Sequence, residues 1–226
     1  MRRIPFQCSS LDNLLEGGVE TSCVTLLYGE AGTGKTNLCL VLARNVALQG
    51  KKVVYLDTEG VSLDRFKQIC GADFDMVLKS VLFFEANSFD EQEKAVDKAI
   101  RLAEGNEEID LIVVDSITMF YRLTSRQEDQ SERRTLTSQS IKLLGVARNR
   151  DIPVVLTSQV FTDVEHHTYE SLGGKPLQHN AKTIIRLDRV GPGRRRAVII
   201  KHRHIAEEAS ADFKLSGSGI ECDARR

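Results

Sequence analysis

The run Gly29-Glu30-Ala31-Gly32-Thr33-Gly34-Lys35-Thr36 satisfies G-x-x-x-x-G-K-[ST] at each specified position, a pattern whose chemistry is phosphate binding. Its glycines let the backbone N–H groups of these residues turn inward on a polyphosphate, and the positive end of a following helix adds to that field. Lys35 can reach β- and γ-phosphates, and the Thr36 hydroxyl can ligate a metal, so ATP and Mg²⁺ are the expected cofactors. Such a loop needs an acid to hold Mg²⁺ from the other side. Asp115, which ends the apolar run Leu111-Ile112-Val113-Val114, is placed to do so directly or through a water. The plainer alternative is that it caps the next turn. Hydrolysis also requires a group that orients or deprotonates water on a neighbouring strand end. Glu59 is the first candidate and Asp57 the second, and either can be a solvated turn acid. Gln159 ends the strand Val154-Val155-Leu156-Thr157-Ser158. A neutral amide there can bond a γ-phosphate and pass its presence to the next loop.

These groups need strands and turns to hold them. Cys23 to Tyr28 reads as a buried strand feeding the glycine-rich turn, and Leu38, Leu42 and Val46 recur at helical spacing as far as Gly50. The second strand, Val53 to Asp57, completes a strand–helix–strand unit, which implies parallel pairing. Ser9 or Ser10 can cap a short helix bearing Leu11, Leu14 and Leu15, ended by Gly17-Gly18. Further on, the pattern predicts a helix from Ser62 to Cys70 and a strand over 81–85. Ser88 and Glu91 form a capping box for a helix with Val96, Ala99, Ile100 and Ala103 inward, followed by a strand over 110–115. Residues 121–134 are almost wholly polar and read as an exposed loop before a long helix with Leu136, Leu143, Leu144 and Ala147 inward. A strand starts at Pro153, and 161–182 reads as a second irregular polar segment. An antiparallel hairpin joined at Gly191-Pro192-Gly193 and a last strand through Gly219 to Cys222 close the chain. The expected fold class is α/β: a mainly parallel central sheet flanked by helices, with a C-terminal antiparallel hairpin.

A chain of 226 residues suits one α/β domain. Its net charge of −1 excludes a globally basic nucleic-acid binder, so any such partner must meet a local patch. One patch is conspicuous. Lys182, Arg186, Arg189, Arg194, Arg195, Arg196, Lys201 and Arg203 gather around the hairpin with Asp188 as the one acid among them. Contact with DNA phosphates, sequence-independent and salt-sensitive, is the functional reading, and a solvated face is the plain one. Phe120, Tyr121 and Tyr169 stand in or beside the polar segments, where they can stack on unpaired bases or be buried. His166-His167 beside Glu165 lacks a further ligand at metal-binding spacing. The five cysteines form no C-x-x-C pair and read as reduced thiols. No apolar run has the length of a membrane span, so the expectation is a cytoplasmic protein with no membrane partner.

The phosphate loop, Asp57 to Gly60, Leu111 to Ser116, Thr157 to Val160, Gly173 to Pro176 and Ala181 to Leu187 together resemble, in order and approximate spacing, the ATPase core of the RecA/RadA recombinases. The resemblance implies a RecA-type core over residues 1–226, with Lys35 and Glu59 catalytic and Gln159 sensing the γ-phosphate. Arg65 is similar to an arginine that stacks on adenine in that family, displaced by about one residue. Little chain precedes the first core strand, so the family's N-terminal helical DNA-binding domain and filament linker are expected to be absent, and 161–182 is shorter than the strand-exchange loop. A core-only chain is similar to the RadB group of archaeal recombinase paralogues. That implies binding of ATP and of single-stranded or branched DNA, a very weak ATPase and little or no strand exchange. It also implies partnership with RadA recombinase and a Holliday-junction resolvase, and a homodimer as one possible assembly. An alternative rests on Lys201-His202-Arg203, which resembles the trans-acting pair of hexameric relatives: a DNA-stimulated RecA-class motor or recombinase, or a clock-type ring ATPase.

Overall fold

The structure, a computed structural model, describes residues 2–124, 130–163 and 168–222. Strands β1 (Arg3–Ile4) and β2 (Val19–Glu20) pair around helix α1 (Ser9–Leu14), and the chain then enters β3 (Val24–Tyr28), whose five residues are all buried. Past the phosphate loop come α2 (Lys35–Leu48), β4 (Lys52–Asp57), α3 (Leu63–Cys70), a 3₁₀ turn, α4 (Phe74–Ser80) and β5 (Val81–Glu85). Then follow α5 (Phe89–Gly105), β6 (Ile109–Asp115), α6 (Met119–Thr124), α7 (Gln130–Arg150), β7 (Val154–Ser158), β8 (Val160–Asp163), β9 (Thr168–Ser171) and α8 (Gly174–Asn180). The chain ends with β10 (Thr183–Arg189), β11 (Arg194–Lys201), β12 (Ser210–Ser216) and β13 (Gly219–Cys222).

Nine strands form one sheet in the order β13-β12-β11-β10-β3-β7-β6-β4-β5. From β10 to β5 every neighbour is parallel, and the other three strands continue antiparallel. Strand alternation sorts the core into two layers. Val53, Tyr55, Leu111 and Val113 pack with α2 on one face, while Val54, Leu56, Ile112 and Val114 pack with residues of α5 and α7 on the other. Because β6 and β7 lie between β3 and β4, the chain must cross over two strand positions between them. The carboxyl ends of all four strands then open on one edge, where ligands bind in such sheets. Asp57 sits level with Asp115, and Tyr28 level with Ser158.

Several sequence expectations need correction. The stretch 121–134 is not one exposed loop: 121–124 and 130–134 are helical, their polar residues being good helix formers, and 125–129 lie outside the described residues. The segment 161–182 carries the antiparallel β8–β9 ribbon and α8, with His166 and His167 outside the described residues. Strand β12 went unread, although Ala211, Phe213 and Leu215 alternate, and so did α4. The expected antiparallel hairpin is present as β10 and β11, and β10 also joins the parallel sheet beside β3. At α1 the cap position is Cys8, and neither serine caps; Asp12 instead accepts the N–H groups of Phe6 at 2.7 Å and Cys8 at 3.0 Å. Not all the cysteines are free. Cys8 and Cys222 lie on neighbouring elements with Cα atoms 5.4 Å apart and form a disulfide, while Cys23, Cys39 and Cys70 are buried thiols.

Candidate nucleotide site

The loop between β3 and α2 is shaped by what surrounds its glycines. A Cβ on Gly29 would lie 2.4 Å from the Leu187 carbonyl oxygen of β10, so only glycine lets the chain pass there. Gly34, at φ +101°, is the N-cap of α2, and a Cβ on it would meet the Leu215 side chain at 2.9 Å. Inside the loop the Thr33 hydroxyl donates to the Glu30 carbonyl at 2.8 Å. Lys35 folds back over it: Nζ donates to the carbonyls of Gly29 at 2.8 Å and Glu30 at 3.0 Å. Burial lowers the lysine's pKa, opposed by the charges of Glu59 and Asp115. A buried ammonium partnered by neutral carbonyls, under the N-terminus of a 14-residue helix, fits an anionic ligand. Thr36 is half-buried on the first turn of that helix.

Asp115 is 1% exposed, and its carboxylate accepts bonds from the Tyr55 hydroxyl at 2.8 Å and the Thr157 hydroxyl at 2.5 Å. These donors fix the orientation of a buried carboxylate, as a metal-holding side chain requires. Neither was singled out in the sequence, since Tyr and Thr inside strands are ordinary. The ends of β4 and β6 are tied by Thr58, whose hydroxyl donates to the Ser116 carbonyl at 2.8 Å and accepts the Ser116 N–H at 2.7 Å. The two candidate bases separate cleanly. Asp57 accepts the N–H groups of Glu59, Gly60 and Val61 at 3.0, 2.9 and 2.5 Å, so it shapes the turn. Glu59 is exposed, and its Oε1 accepts from Gln159 Nε2 at 3.0 Å, bringing the two candidate residues into contact.

Arg65 lies beside the first turn of α2, donating to Asn37 Oδ1 at 2.8 Å and to the carbonyls of Ser216 at 2.6 Å and Gly217 at 3.2 Å. It fastens α3 to the β12–β13 turn, the turn that brings Leu215 to Gly34.

The basic stripe divides. Arg189 donates to the Ala31 carbonyl, and Arg195 donates to the Gly32 carbonyl from Nε at 3.1 Å and Nη2 at 2.9 Å, which places both on the phosphate loop. Lys201 donates to the carbonyls of Gln178 and Ala181, each at 2.8 Å, at the end of α8. Arg186 pairs with Asp188 at 3.1 Å. Asp212 on β12 pairs with Arg196 at 2.6 Å and Arg194 at 3.8 Å. Arg203 is exposed and Lys182 half-buried. Tyr121 is buried in the core, its hydroxyl accepting from Arg133 Nε at 3.1 Å, so it offers no open stacking face; the Tyr169 side chain lies outside the described residues.

Comparison with known proteins agrees with this geometry. The Rad51 family model matches residues 2–223. Two curated relatives, both called DNA repair and recombination protein RadB, are similar over nearly their whole length. That of Methanococcoides burtonii is 43% identical, covering 94% of this chain and 95% of its own, and that of Archaeoglobus fulgidus is 42% identical, covering 96% and 97%. A crystal structure of the RadB recombinase superposes with a TM-score of 0.83 at 33% identity, covering 98% of this chain and all of that one. A RecA-like sheet, a glycine-shaped phosphate loop and these matches lead to one conclusion: the chain belongs to the Rad51 family, on the RadB side of it.

Proposed function

We propose that this chain is an ATP- and DNA-binding accessory protein of homologous recombination and DNA repair, with a very weak ATPase and little or no strand exchange. The observation that carries the reading is the convergence of Lys35, Thr36, Asp115, Glu59 and Gln159 at one sheet edge, in a chain whose relatives are named for repair and recombination.

Bound MgATP supplies an anhydride to cleave and a dense negative charge. Lys35 exchanges the carbonyls of Gly29 and Glu30 for phosphate oxygens, and the N–H groups of Glu30, Ala31, Gly32, Thr33 and Gly34 hold the others. Thr36 and Asp115 would hold the metal, Asp115 directly or through a water. Glu59 orients water and takes its proton, with Gln159 fixing the carboxylate's direction. Gln159 would exchange its bond to Glu59 for a γ-phosphate oxygen, and because β8 follows it at once, that exchange would be passed to the β8–β9 ribbon. A base engaged by its own sensor suits a slow ATPase whose nucleotide serves mainly as a switch. Arg65 is placed to line the adenine side.

DNA, single-stranded or branched, is the proposed macromolecular ligand, contacted through exposed cations of the hairpin such as Arg194, Arg196 and Arg203. RadA recombinase and a Holliday-junction resolvase are the proposed protein partners, with a homodimer as one assembly. Lys201, engaged by the end of α8, is left out of the contact set, which disfavours the ring-forming alternative. The test measures ATP affinity and turnover with and without single-stranded DNA, beside salt-titrated DNA binding. Salt-sensitive DNA binding, slow turnover that DNA does not raise, and loss of ATP binding in Lys35→Ala are expected. Unchanged ATP affinity in Lys35→Ala would overturn the nucleotide assignment, and fast DNA-stimulated turnover the accessory role.

A further inference from the structure

Arg189 and Arg195 pose an electrostatic problem. They face each other directly across the β10–β11 ladder, where like charges repel. Among the described residues neither has an acidic partner, whereas their neighbours Arg186, Arg194 and Arg196 all have one. Both guanidiniums end instead on consecutive carbonyls of the phosphate loop, Ala31 and Gly32. The loop is built to pass under them: Gly32 has φ +73°, and a Cβ there would lie 2.4 Å from Arg189 Nη2. Lys35 bonds the carbonyls of Gly29 and Glu30 in the same loop, so three cations share it; its pKa is lowered chiefly by burial, opposed by Glu59 and Asp115, with Arg189 adding a smaller lowering effect. Arg189 likewise lowers the pKa of Arg195, after the larger effect of burial.

Neither arginine pairs with a carboxylate among the described residues, so the arrangement suits an anionic ligand. In a trans peptide the C=O and N–H point in opposite directions. A cation held on the carbonyls of Ala31 and Gly32 therefore fixes the N–H groups of Gly32 and Thr33 toward the other side of the loop, where a phosphate would sit. We propose that Arg189 and Arg195 belong to the polyphosphate site and not to the DNA-contacting stripe: they are positioning residues that orient two loop peptides, and their mutual repulsion is offset by the ligand's charge. This rests on the nucleotide-binding reading and assigns to it two residues that the loop motif does not contain.

The discriminating experiment measures ATP, ADP and adenosine affinities of the full chain, its DNA affinity, and its thermal midpoint without nucleotide, for wild type, Arg189→Gln and Arg195→Gln. Each substitution removes one charge-assisted contact, so ATP affinity is expected to fall roughly tenfold. Adenosine affinity, DNA affinity and the salt slope of DNA binding are expected to stay at wild-type values. The nucleotide-free midpoint is expected to stay or rise, because a like-charge pair has been broken. Arg195→Lys, which keeps the charge but loses the two-pronged grip on Gly32, is expected to recover part of the ATP affinity and covers the case of a glutamine variant that fails to fold. Wild-type ATP affinity in these variants would overturn the inference while leaving the nucleotide site standing. A lowered nucleotide-free midpoint would make the arginines structural latches, and a weakened salt slope would return them to the DNA stripe; either overturns it. Absence of ATP binding in wild type would remove the reading beneath it as well.

Discussion

A carboxylate buried as deeply as Asp115 survives because two hydroxyls point at it. Removing one by Tyr55→Phe or Thr157→Val leaves an acid with fewer partners in a low-dielectric interior, and about 1–3 kcal/mol of stability should be lost, read from urea midpoints. Lys35 makes a pH prediction of definite sign. Its pKa is lowered in the fold from 10.5, so between the two values the unfolded chain binds more protons and stability rises with pH. Lys35→Met removes a buried charge. The variant should therefore be more stable than wild type near neutrality, with the advantage shrinking as pH approaches 10.5. A gap that widens with pH would contradict the assignment. At this scale Lys35, Thr36, Asp115, Glu59 and Gln159 stand out in the sequence as candidates because each lies at or beyond a recognisable strand end. Tyr55 and Thr157 do not, since their importance comes from which strands lie side by side. Between Asp57 and Glu59 the sequence offers only a choice, and the three backbone N–H groups on Asp57 favour Glu59 as the candidate base.

Helix α5 is tied to the segment after β6 and to α7 through Gln92, whose Nε2 donates to the Ile117 carbonyl at 3.0 Å and to Gln139 Oε1 at 2.9 Å. Both amides are fully buried, and among the described residues Gln92 Oε1 and Gln139 Nε2 have no hydrogen-bond partner. Gln92→Leu strands both Ile117 O and Gln139 and should cost about 1–3 kcal/mol, whereas Gln139→Leu leaves Gln92 its bond to Ile117 and should cost less. In the double variant the losses should not add, a coupling that a denaturation double-mutant cycle measures. The helix that carries Gln139 was read from Leu136, Leu143, Leu144 and Ala147, but its start at Gln130 was hidden because its first residues are polar. Strand β12 was hidden for a different reason. It stands second from β10 on the antiparallel side, half-buried, and its short alternation follows a loop that gives no turn signal of the hairpin kind.

Over the whole molecule, parallel strands were legible as apolar runs but their order was not, because β3 and β4 are separated by β6 and β7, which come later in the chain. Nor does spacing pair Cys8 with Cys222; α1, packed beside β12 and β13, does that. Alkylation in denaturant should label three thiols without reductant and five with it. In the native protein little labelling is expected at pH 8, since burial pushes the Cys23 and Cys70 thiols up to about 11 and Cys39 well above its ordinary value. Five labelled thiols without reductant would remove the disulfide.

That bridge also decides how the molecule bears load. Tension applied at residues 2 and 222 runs from the first β1 residues to Cys8 and then directly across the sulfur atoms, so the sheet, the phosphate loop and both helical layers between them carry none of it. Stretched in an optical trap, the oxidised chain should yield only its first few residues, while added reductant frees the segment spanned by a sequence separation of 214, a gain of roughly 700 Å in contour length.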